Sequence, residues 1–442
     1  MTEKTTPKAA DAVKPTLREQ MEAVRPRPRI DKQIWGIYFA LIFISLIELY
    51  SASSREIVSG SIMMPVFRQG ILLFVGFLIM VGLQRVHYRR FYQLTYPIVI
   101  LCILATLYTM KFGLIINGAR RAFSFFGLFT VQPSELLKFA IALVIARLLC
   151  NYIVHLRPGH EQEDRQHNHR LVTWVALLVL GCGALLIPQG LTNTILLFAI
   201  AMSLMLIGGV RWKEWGCVLL VFGVLGLGYI GYKSISGDGE SAPAQTEARS
   251  VDRTGTRVNR IKQFLRTDKY NDSITSQNSQ EMYSYIAQAN GGVIGRFPGN
   301  SRETARLPLA FSDYIFAIII EDMGLIGGTA VMLLYLWLLA RAGRIAMKCR
   351  KAFPALLVIG MAVFIVCQAL MHMGIVTGFL PVSGQPLPLI SKGGSSVIVT
   401  SVALGMMLSV SRFALRKGQK QEANSRVAEL SDSDMPDNPS QL

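Results

Sequence analysis

The sequence predicts an all-α, polytopic integral membrane protein with about ten transmembrane helices and a long extracytoplasmic loop between spans seven and eight. Three observations carry this prediction. The 442 residues are 51% hydrophobic and only 17% charged, with a mean hydropathy of +0.39. Apolar stretches of about 20 residues, the length that crosses a hydrocarbon core as a helix, recur along the chain. Basic residues cluster in the short segments between these stretches, as the positive-inside rule requires.

The spans follow these stretches in chain order. We place nine of them at 33–50, 66–84, 91–108, 133–150, 171–187, 192–209, 215–232, 313–339 and 353–377, and the tenth ends near Arg412. The tails 1–32 and 413–442 lack apolar periodicity, which predicts disordered cytoplasmic segments around the transmembrane domain 33–412. The polar insert 233–309 is long for a loop in a compact domain, and such loops are usually functional.

The charge and cysteine patterns exclude other classes of protein. The formal net charge is +17, but the basic residues are spread between the spans, so we expect no nucleic acid partner. With both termini inside, the short loops obey the positive-inside rule except the one that carries Arg120 and Arg121. The six cysteines show no C-x-x-C spacing, which argues against a zinc site or a disulfide framework.

Candidate site residues gather on the predicted outer side. Asp313 lies where a polar segment gives way to an apolar helix, and a carboxylate at such a place is a functional candidate because it is costly in hydrocarbon. Arg120 and Arg121 offer guanidinium groups that suit a phosphate or pyrophosphate. Interfacial anchoring by snorkelling is the alternative for these two arginines. Arg68 begins the second span on the same side.

Two further segments are candidates for binding. Glu135 and Lys138 are three residues apart near the start of span four and share a helical face, so they form either a substrate contact or a structural ion pair. The segment SKGGSSVIV places glycines and hydroxyls just before a helix, a shape that binds anions through backbone N–H groups or serves only as a tight turn. Its candidate residues are Ser391, Lys392, Ser395 and Ser396.

Across about 35–412 the chain resembles the SEDS family (shape, elongation, division and sporulation), the peptidoglycan glycosyltransferases that consume lipid II. The motifs that carry the resemblance are NGARR at 117–121, QPSELLK at 132–138, SDYIFAIIIEDMG from Ser312, and PVSGQPLPLISKGGSS at 381–396. The SGQPLPLIS segment, the polar tails and the insert are more similar to the division branch of the family than to its elongation branch.

The resemblance implies a polymerase that transfers disaccharide units of lipid II in septal cell-wall synthesis. The essential acid of the family matches Asp313, which we interpret as the base for the acceptor hydroxyl, while Arg68, Arg120 and Arg121 would neutralise the pyrophosphate that leaves. We expect no tightly bound cofactor, with a divalent cation (Mg²⁺ or Mn²⁺) as a candidate. The implied partners are lipid II, membrane lipid, a class B penicillin-binding protein transpeptidase and other divisome membrane proteins, and the implied location is the bacterial inner membrane, at the septum, with both termini cytoplasmic.

The chain departs from the family pattern at several positions. Gln189 replaces a usual aspartate, Asp322 replaces the second of two glutamates, Lys392 stands where an aromatic is frequent, and His372 stands where an asparagine is frequent. Three other functions stay open: a lipid II flippase, an elongation-type polymerase, and a scaffold that only recruits a transpeptidase. A scaffold has no need of an acid at Asp313, whereas an enzyme does.

Overall fold

In the computed structural model, ten helices of at least 17 residues form one bundle within the described part of the chain. The structure describes residues 31–53, 63–116, 119–125, 129–236, 274–275, 278–307, 310–381 and 383–433. The long helices are α1 (Lys32–Ser53), α2 (Met63–Leu83), α3 (Tyr88–Phe112), α4 (Pro133–Leu149), α5 (Glu161–Leu186), α6 (Leu191–Ile207), α7 (Trp212–Ser236), α10 (Ile315–Met347), α11 (Ala352–Val376) and α12 (Gly394–Ser433). Two shorter ones, α8 (Ser279–Gly291) and α9 (Ala310–Asp313), lie between α7 and α10.

The ten long helices correspond to the ten predicted spans, so the polytopic membrane fold is confirmed. Among the described residues, six helices have both the length and the hydropathy of a membrane span, and Phe67–Leu83 and Leu191–Ile207 are shorter apolar helices. The largest difference at a helix start is in α5, which begins at Glu161 instead of the predicted residue 171. Its first turns are polar but still helical, with an ion pair between Glu161 and Arg165 at 3.7 Å. At the other end of the chain, α12 continues to Ser433, past the predicted start of the tail at 413.

A small antiparallel sheet is a feature of the fold that hydropathy did not predict. It has the order β1 (Leu114–Ile116), β2 (Ala119–Phe125) and β3 (Phe129–Val131) and fills the connection between α3 and α4. The predicted loop around the two arginines is therefore largely a strand, with Ile115 paired to Arg120. Residues 117–118, the start of the NGARR motif, lie outside the described residues.

Helices α4 and α11 form the centre of the bundle. Nearly every side chain of α4 is buried, including its polar first turn. Helix α11 packs against α4, α6, α10 and α12. By contrast, α3 keeps one face of large apolar side chains exposed, such as Ile100, Leu101 and Leu104. Apolar side chains on the outside of a bundle are what a helix needs against lipid. The central pair therefore supplies the rigid frame on which the polar residues are placed.

The end of the long insert folds back onto α10. We call residues 292–303 the strap. Its backbone N–H groups at Arg296 and Phe297 donate to the carbonyls of Glu321 and Asp322 at 2.9 and 2.8 Å. Helix α10 is kinked at Gly324, whose φ is 70°, and a Cβ there would come within 2.2 Å of the Val293 carbonyl oxygen. Glycine is required at this position because of both its backbone conformation and the close approach of the strap. Residues 237–273 of the insert lie outside the described part.

Candidate functional site

Asp313 lies at the break between two helices. It ends the short α9, and Tyr314, with φ −130° and ψ 19°, separates it from α10. The Asp313 side chain is only partly exposed. The loop that joins α11 to α12 passes directly over it, since a Cβ at Gly384 would lie 2.5 Å from the Asp313 Oδ2 atom. The absence of a side chain at Gly384 thus lets the loop cover one side of the carboxylate while the other side stays accessible.

We call residues 381–393 the proline loop, and its far end is fastened to α9. The Ser391 hydroxyl donates to the Ser312 carbonyl at 2.9 Å and accepts from the Leu387 N–H at 2.7 Å. The Lys392 N–H donates to the Phe311 carbonyl at 2.9 Å. These bonds hold the proline loop and Asp313 in one fixed relationship. In this arrangement the Ser391 hydroxyl is buried and already engaged within the protein.

Arg121 provides the positive charge near Asp313. Its Nη2 atom lies 3.8 Å from the position that a Cβ at Gly190 would occupy, which places the guanidinium at the turn between α5 and α6. Burial raises the pKa of the Asp313 carboxyl above its ordinary value, while the hydrogen bond from the Ser312 side chain and the charge of Arg121 act in the opposite direction. A carboxylate whose pKa is raised accepts a proton more readily than an ordinary one, which suits a general base.

The neighbouring arginine takes a different place. Side chains alternate between the two faces of a strand, so Arg120 and Arg121 on β2 point in opposite directions. Arg120 is exposed, and its guanidinium donates to the Lys111 carbonyl. The structure therefore brings Arg121, and not Arg120, to Asp313. A role for Arg120 in binding substrate stays a prediction.

A buried network centred on Lys138 contacts the proline loop through Gln385. The Lys138 ammonium donates to Glu135 Oε1 at 2.8 Å, Asn193 Oδ1 at 3.1 Å and Gln385 Oε1 at 3.3 Å. Gln385 in turn donates to Asn193 Oδ1 at 3.0 Å. Lys138 and Glu135 are 0% and 1% exposed. Because all three donors of the ammonium are satisfied, this network is a stable support for Gln385, the neighbour of Gly384.

The network, which we call the lysine network, continues onto α11. Gln368 donates to Glu135 Oε2 at 2.9 Å, and His372 Nδ1 lies 2.6 Å from the Gln385 carbonyl oxygen. Both side chains are buried. Four elements, namely α4, α6, α11 and the proline loop, thus meet at Lys138 and Glu135. The positions of these two residues fit the structural ion pair, and their contact with substrate remains a prediction.

The remaining predicted residues lie around this centre. Arg68 is exposed on the first turns of α2, and its neighbour Gln69 reaches the Ser391 carbonyl at 3.5 Å. Lys392 is exposed, with its Nζ atom 5.7 Å from the centre of the Phe311 ring. Ser395 and Ser396 are buried in the first turn of α12. The substrate-binding roles predicted for these residues are open.

The structure also describes Gln189, which replaces the usual aspartate of the family, and the groups that could hold the expected divalent cation. Gln189 is 1% exposed, and neither end of its side-chain amide has a hydrogen-bond partner among the described residues. The described residues also contain no group of three or more His, Cys, Asp or Glu side chains that could hold a metal ion. The Mg²⁺ or Mn²⁺ expectation stays a prediction.

Sequence reasoning missed several residues that shape the site. Asn193, Gln368, Gly384 and Gln385 were not singled out, although they hold or cover the Asp313 environment. A signal was present for Gln368, because a glutamine in the middle of an apolar span needs a buried partner. No comparable signal marks Gly384, whose importance appears only when the loop is placed over Asp313.

Comparisons with known proteins agree with this fold. The family model FTSW_RODA_SPOVE, described as "Cell cycle protein", matches residues 31–416. A probable peptidoglycan glycosyltransferase FtsW from Synechocystis sp. is 31% identical over 85% of this chain and 88% of its own length. The corresponding protein of Geobacter metallireducens is 29% identical over 87% of this chain and 95% of its own.

A solved structure is similar over the same region. It is described as "Structural coordination of polymerization and crosslinking by a peptidoglycan synthase complex" and matches with a TM-score of 0.64 at 24% identity. The match covers 87% of this chain and 98% of the other. At this level of identity the similarity is evidence for a shared fold.

Proposed function

This chain belongs to the FtsW/RodA/SpoVE family of cell cycle proteins, and we propose that it is a peptidoglycan glycosyltransferase that polymerises lipid II. The observation that carries the proposal is the position of Asp313. Its carboxylate is partly exposed, fixed beside the proline loop, and within the electrostatic influence of Arg121. A general base and a cation at one opening are what a displacement at a sugar pyrophosphate requires.

In the proposed reaction Asp313 is the base. Its carboxylate accepts the proton of the acceptor hydroxyl while that oxygen attacks the anomeric carbon of the donor. The bond to the polyprenyl pyrophosphate breaks in the same displacement, which inverts the configuration and needs no covalent intermediate on the protein. The raised pKa of Asp313 makes it a stronger base than an ordinary carboxylate.

Arg121 is the residue placed to neutralise the charge of the departing pyrophosphate. Its guanidinium can donate two parallel hydrogen bonds to an oxyanion. The same charge lowers the pKa of Asp313 and so favours the ionised form that a base needs. Arg68 and Arg120 are both exposed, and a contact between either residue and the pyrophosphate is a further part of the proposal.

We also propose the setting in which the enzyme works. The matched solved structure is described as a peptidoglycan synthase complex that coordinates polymerization and crosslinking. This description supports a class B penicillin-binding protein transpeptidase as the partner. The FtsW names of the relatives support a place at the septum. The basic segments between the spans support cytoplasmic termini.

The test is glycan polymerisation from lipid II by the purified protein together with its transpeptidase partner. We expect long glycan strands from wild type and a loss of at least about 100-fold in rate for Asp313→Asn, the lower range for a general base. Glu214→Gln is the matched control, because Glu214 is an acid elsewhere in the bundle that bonds Tyr152 at 3.2 Å, and it should keep wild-type activity.

Two results would contradict the proposal in different ways. Polymerisation by Asp313→Asn at the wild-type rate would remove Asp313 from the role of base. No strands from either protein, together with movement of lipid II across liposomes that contain the purified protein, would support the flippase alternative.

A further inference from the structure

A patch of exposed apolar side chains lies where the strap meets α10. On the strap, Val293, Ile294 and Phe297 are 64%, 69% and 67% exposed. On α10, Leu325 and Ile326 are 58% and 60% exposed. Grouped exposed apolar residues of this kind mark a surface that contacts a membrane or another protein. The reaction proposed above uses none of these five residues.

Backbone hydrogen bonds hold this part of the strap, residues 293–297, which we call the strap tip, against α10. Just past the kink of α10, the N–H groups of Leu325 and Ile326 donate to two strap carbonyls, those of Gly292 and Val293, at 3.0 and 3.3 Å. The two bonds already described run in the opposite direction, from strap N–H groups to α10 carbonyls. Backbone groups that are paired in this way need no water, which is the condition for a non-helical segment to enter hydrocarbon.

The position along α10 gives the depth of the strap tip. Arg341, near the basic end of α10, pairs with Asp31 at 2.7 Å and marks the inner boundary of the membrane by the positive-inside rule. About 20 helical residues cover a hydrocarbon core of about 30 Å, so the outer boundary falls near Glu321. The strap bonds to residues 321–326, which therefore lie within about 8 Å of that boundary, on its hydrocarbon side.

The exposed face of α10 indicates what covers the patch. Ile326, Leu333 and Trp337 are spaced by seven and four residues, so they share one face of the helix. They are 60%, 55% and 47% exposed. An exposed apolar face on a membrane span contacts lipid. Because Ile326 belongs both to this face and to the patch, the same lipid extends over the strap tip.

Charged and polar groups are arranged around the strap tip as a membrane interface requires. Arg296 is the charged residue of the tip, and its guanidinium turns back to bond the carbonyl and the side-chain oxygen of Asn290 at 3.2 and 3.3 Å. Asn300 and Arg302, which follow the tip, are exposed. Long polar side chains at such places reach the headgroups, while the apolar side chains beside them lie among the acyl chains.

We propose that the strap tip is a re-entrant segment that inserts into the outer leaflet of the bilayer. The side chains of Val293, Ile294 and Phe297 contact acyl chains there, beside the lipid-facing residues of α10. The surface is thus a lipid-binding surface of the long insert. Since the strap is bonded to α10, which follows directly after α9 and Asp313, insertion of the tip also helps to set the height of Asp313 relative to the headgroups.

Spin labelling tests the proposal in vesicles of phosphatidylethanolamine and phosphatidylglycerol. The full-length protein carries alanine at its six native cysteines and one label, at Ile294→Cys. Leu101→Cys, on the exposed apolar face of α3, is the lipid control. Gln162→Cys, in the exposed polar start of α5, is the water control. Oxygen concentrates in hydrocarbon and a nickel chelate stays in water, so the ratio of their collision rates reports the surroundings of each label.

We expect the oxygen-to-nickel ratio at Ile294→Cys to be closer to that of Leu101→Cys than to that of Gln162→Cys. A ratio equal to that of Gln162→Cys would place the tip in water and overturn the proposal. Low collision rates with both reagents would mean that protein covers the patch, which also overturns it. The covering protein would be the transpeptidase partner if the low rates appear only after that partner is added, and this chain otherwise.

Tryptophan fluorescence provides a second measurement that keeps the native cysteines. Phe297→Trp retains an aromatic ring at the tip, and the difference from wild type isolates its emission. Lipid brominated in the upper part of the acyl chain should quench this emission, and iodide in the water should not. Gln162→Trp, the control, should show the opposite pattern. Quenching of Phe297→Trp by iodide alone would contradict insertion. Neither measurement depends on glycan synthesis, so both stand apart from the test of Asp313.

Discussion

The bundle contains two buried polar clusters besides Asp313, and their charges are balanced to different degrees. In the lysine network, an ammonium and a carboxylate neutralise one another, and amide groups from three elements complete their hydrogen bonds. Around α1 and α10 there are three buried acids, Glu48, Glu321 and Asp322. Within the described part of the chain, donors contact Glu321 and Asp322, whereas neither carboxylate oxygen of Glu48 has a partner. A buried ion pair with complete hydrogen bonds holds a fixed geometry, whereas a buried carboxylate that lacks a donor within the described residues is costly in free energy.

Lys138→Met has the largest expected effect. It removes the cation from the lysine network, so that Glu135 becomes a buried carboxylate without its ion-pair partner. It leaves Glu135 buried without its cation, which typically costs about 3–5 kcal/mol of stability. The support of Gln385 is lost at the same time, so glycan synthesis should fall strongly. The measurement is thermal unfolding and polymerisation of the variant beside wild type.

The matched control adds a second change that removes the stranded charge. Combining Lys138→Met with Glu135→Gln should restore much of the stability, since neither residue is then ionised. Activity should not return fully, because Gln385 still lacks its partner. If the Lys138→Met protein is as stable as wild type, the lysine network does not stabilise the fold, and the contrast between the two clusters is wrong.

Asp313 lies between the two extremes, since burial raises its pKa and Arg121 lowers it. A base must be ionised, so activity should fall as pH decreases through a value above the ordinary range of a carboxyl group. Arg121→Gln removes the charge that lowers the pKa, and the acid limb of the pH–rate profile should then move to higher pH. The measurement is the pH dependence of polymerisation for both proteins.

Arg120→Gln is the control for this shift. Arg120 bonds to the Lys111 carbonyl on the exposed face of β2, so its loss should leave the acid limb where it is in wild type. An equal shift in both variants would mean that the arginines act through the overall charge of the opening. If neither variant shifts the acid limb, the charge of Arg121 does not lower the pKa of Asp313, contrary to the prediction.

The sequence predicted the bundle well because hydropathy reports directly on which segments can cross a membrane. It also brought Asp313 and Arg121 forward as candidates, from the cost of placing charge near hydrocarbon and from the family motifs. It could not separate Arg121 from Arg120, since the alternation that divides them comes from a strand formed at the end of α3. The three strands have only three, seven and three residues, and none shows a clear alternation of polar and apolar side chains that would predict a strand.

Long-range pairing accounts for most of the other differences. Lys138 and Gln385 are far apart in the chain, and nothing local to either residue indicates that they meet. The same is true of Ser51 and Asp322, which form a hydrogen bond between the first and eighth of the ten long helices. Local patterns predict which residues are costly to bury, but the fold decides which partner offsets that cost.

Ser391→Ala has the smallest expected effect, and it distinguishes a neutral support from a substrate contact. The Ser391 hydroxyl bonds to the Ser312 carbonyl and accepts from the Leu387 N–H. Losing these bonds should cost about 1 kcal/mol of stability, the usual contribution of a neutral hydrogen bond. If Ser391 only fastens the proline loop, Tm and kcat should fall slightly while KM for lipid II stays constant. If it binds the substrate instead, KM should rise with no change in Tm, and the hydroxyl would have to leave its two partners when lipid II arrives.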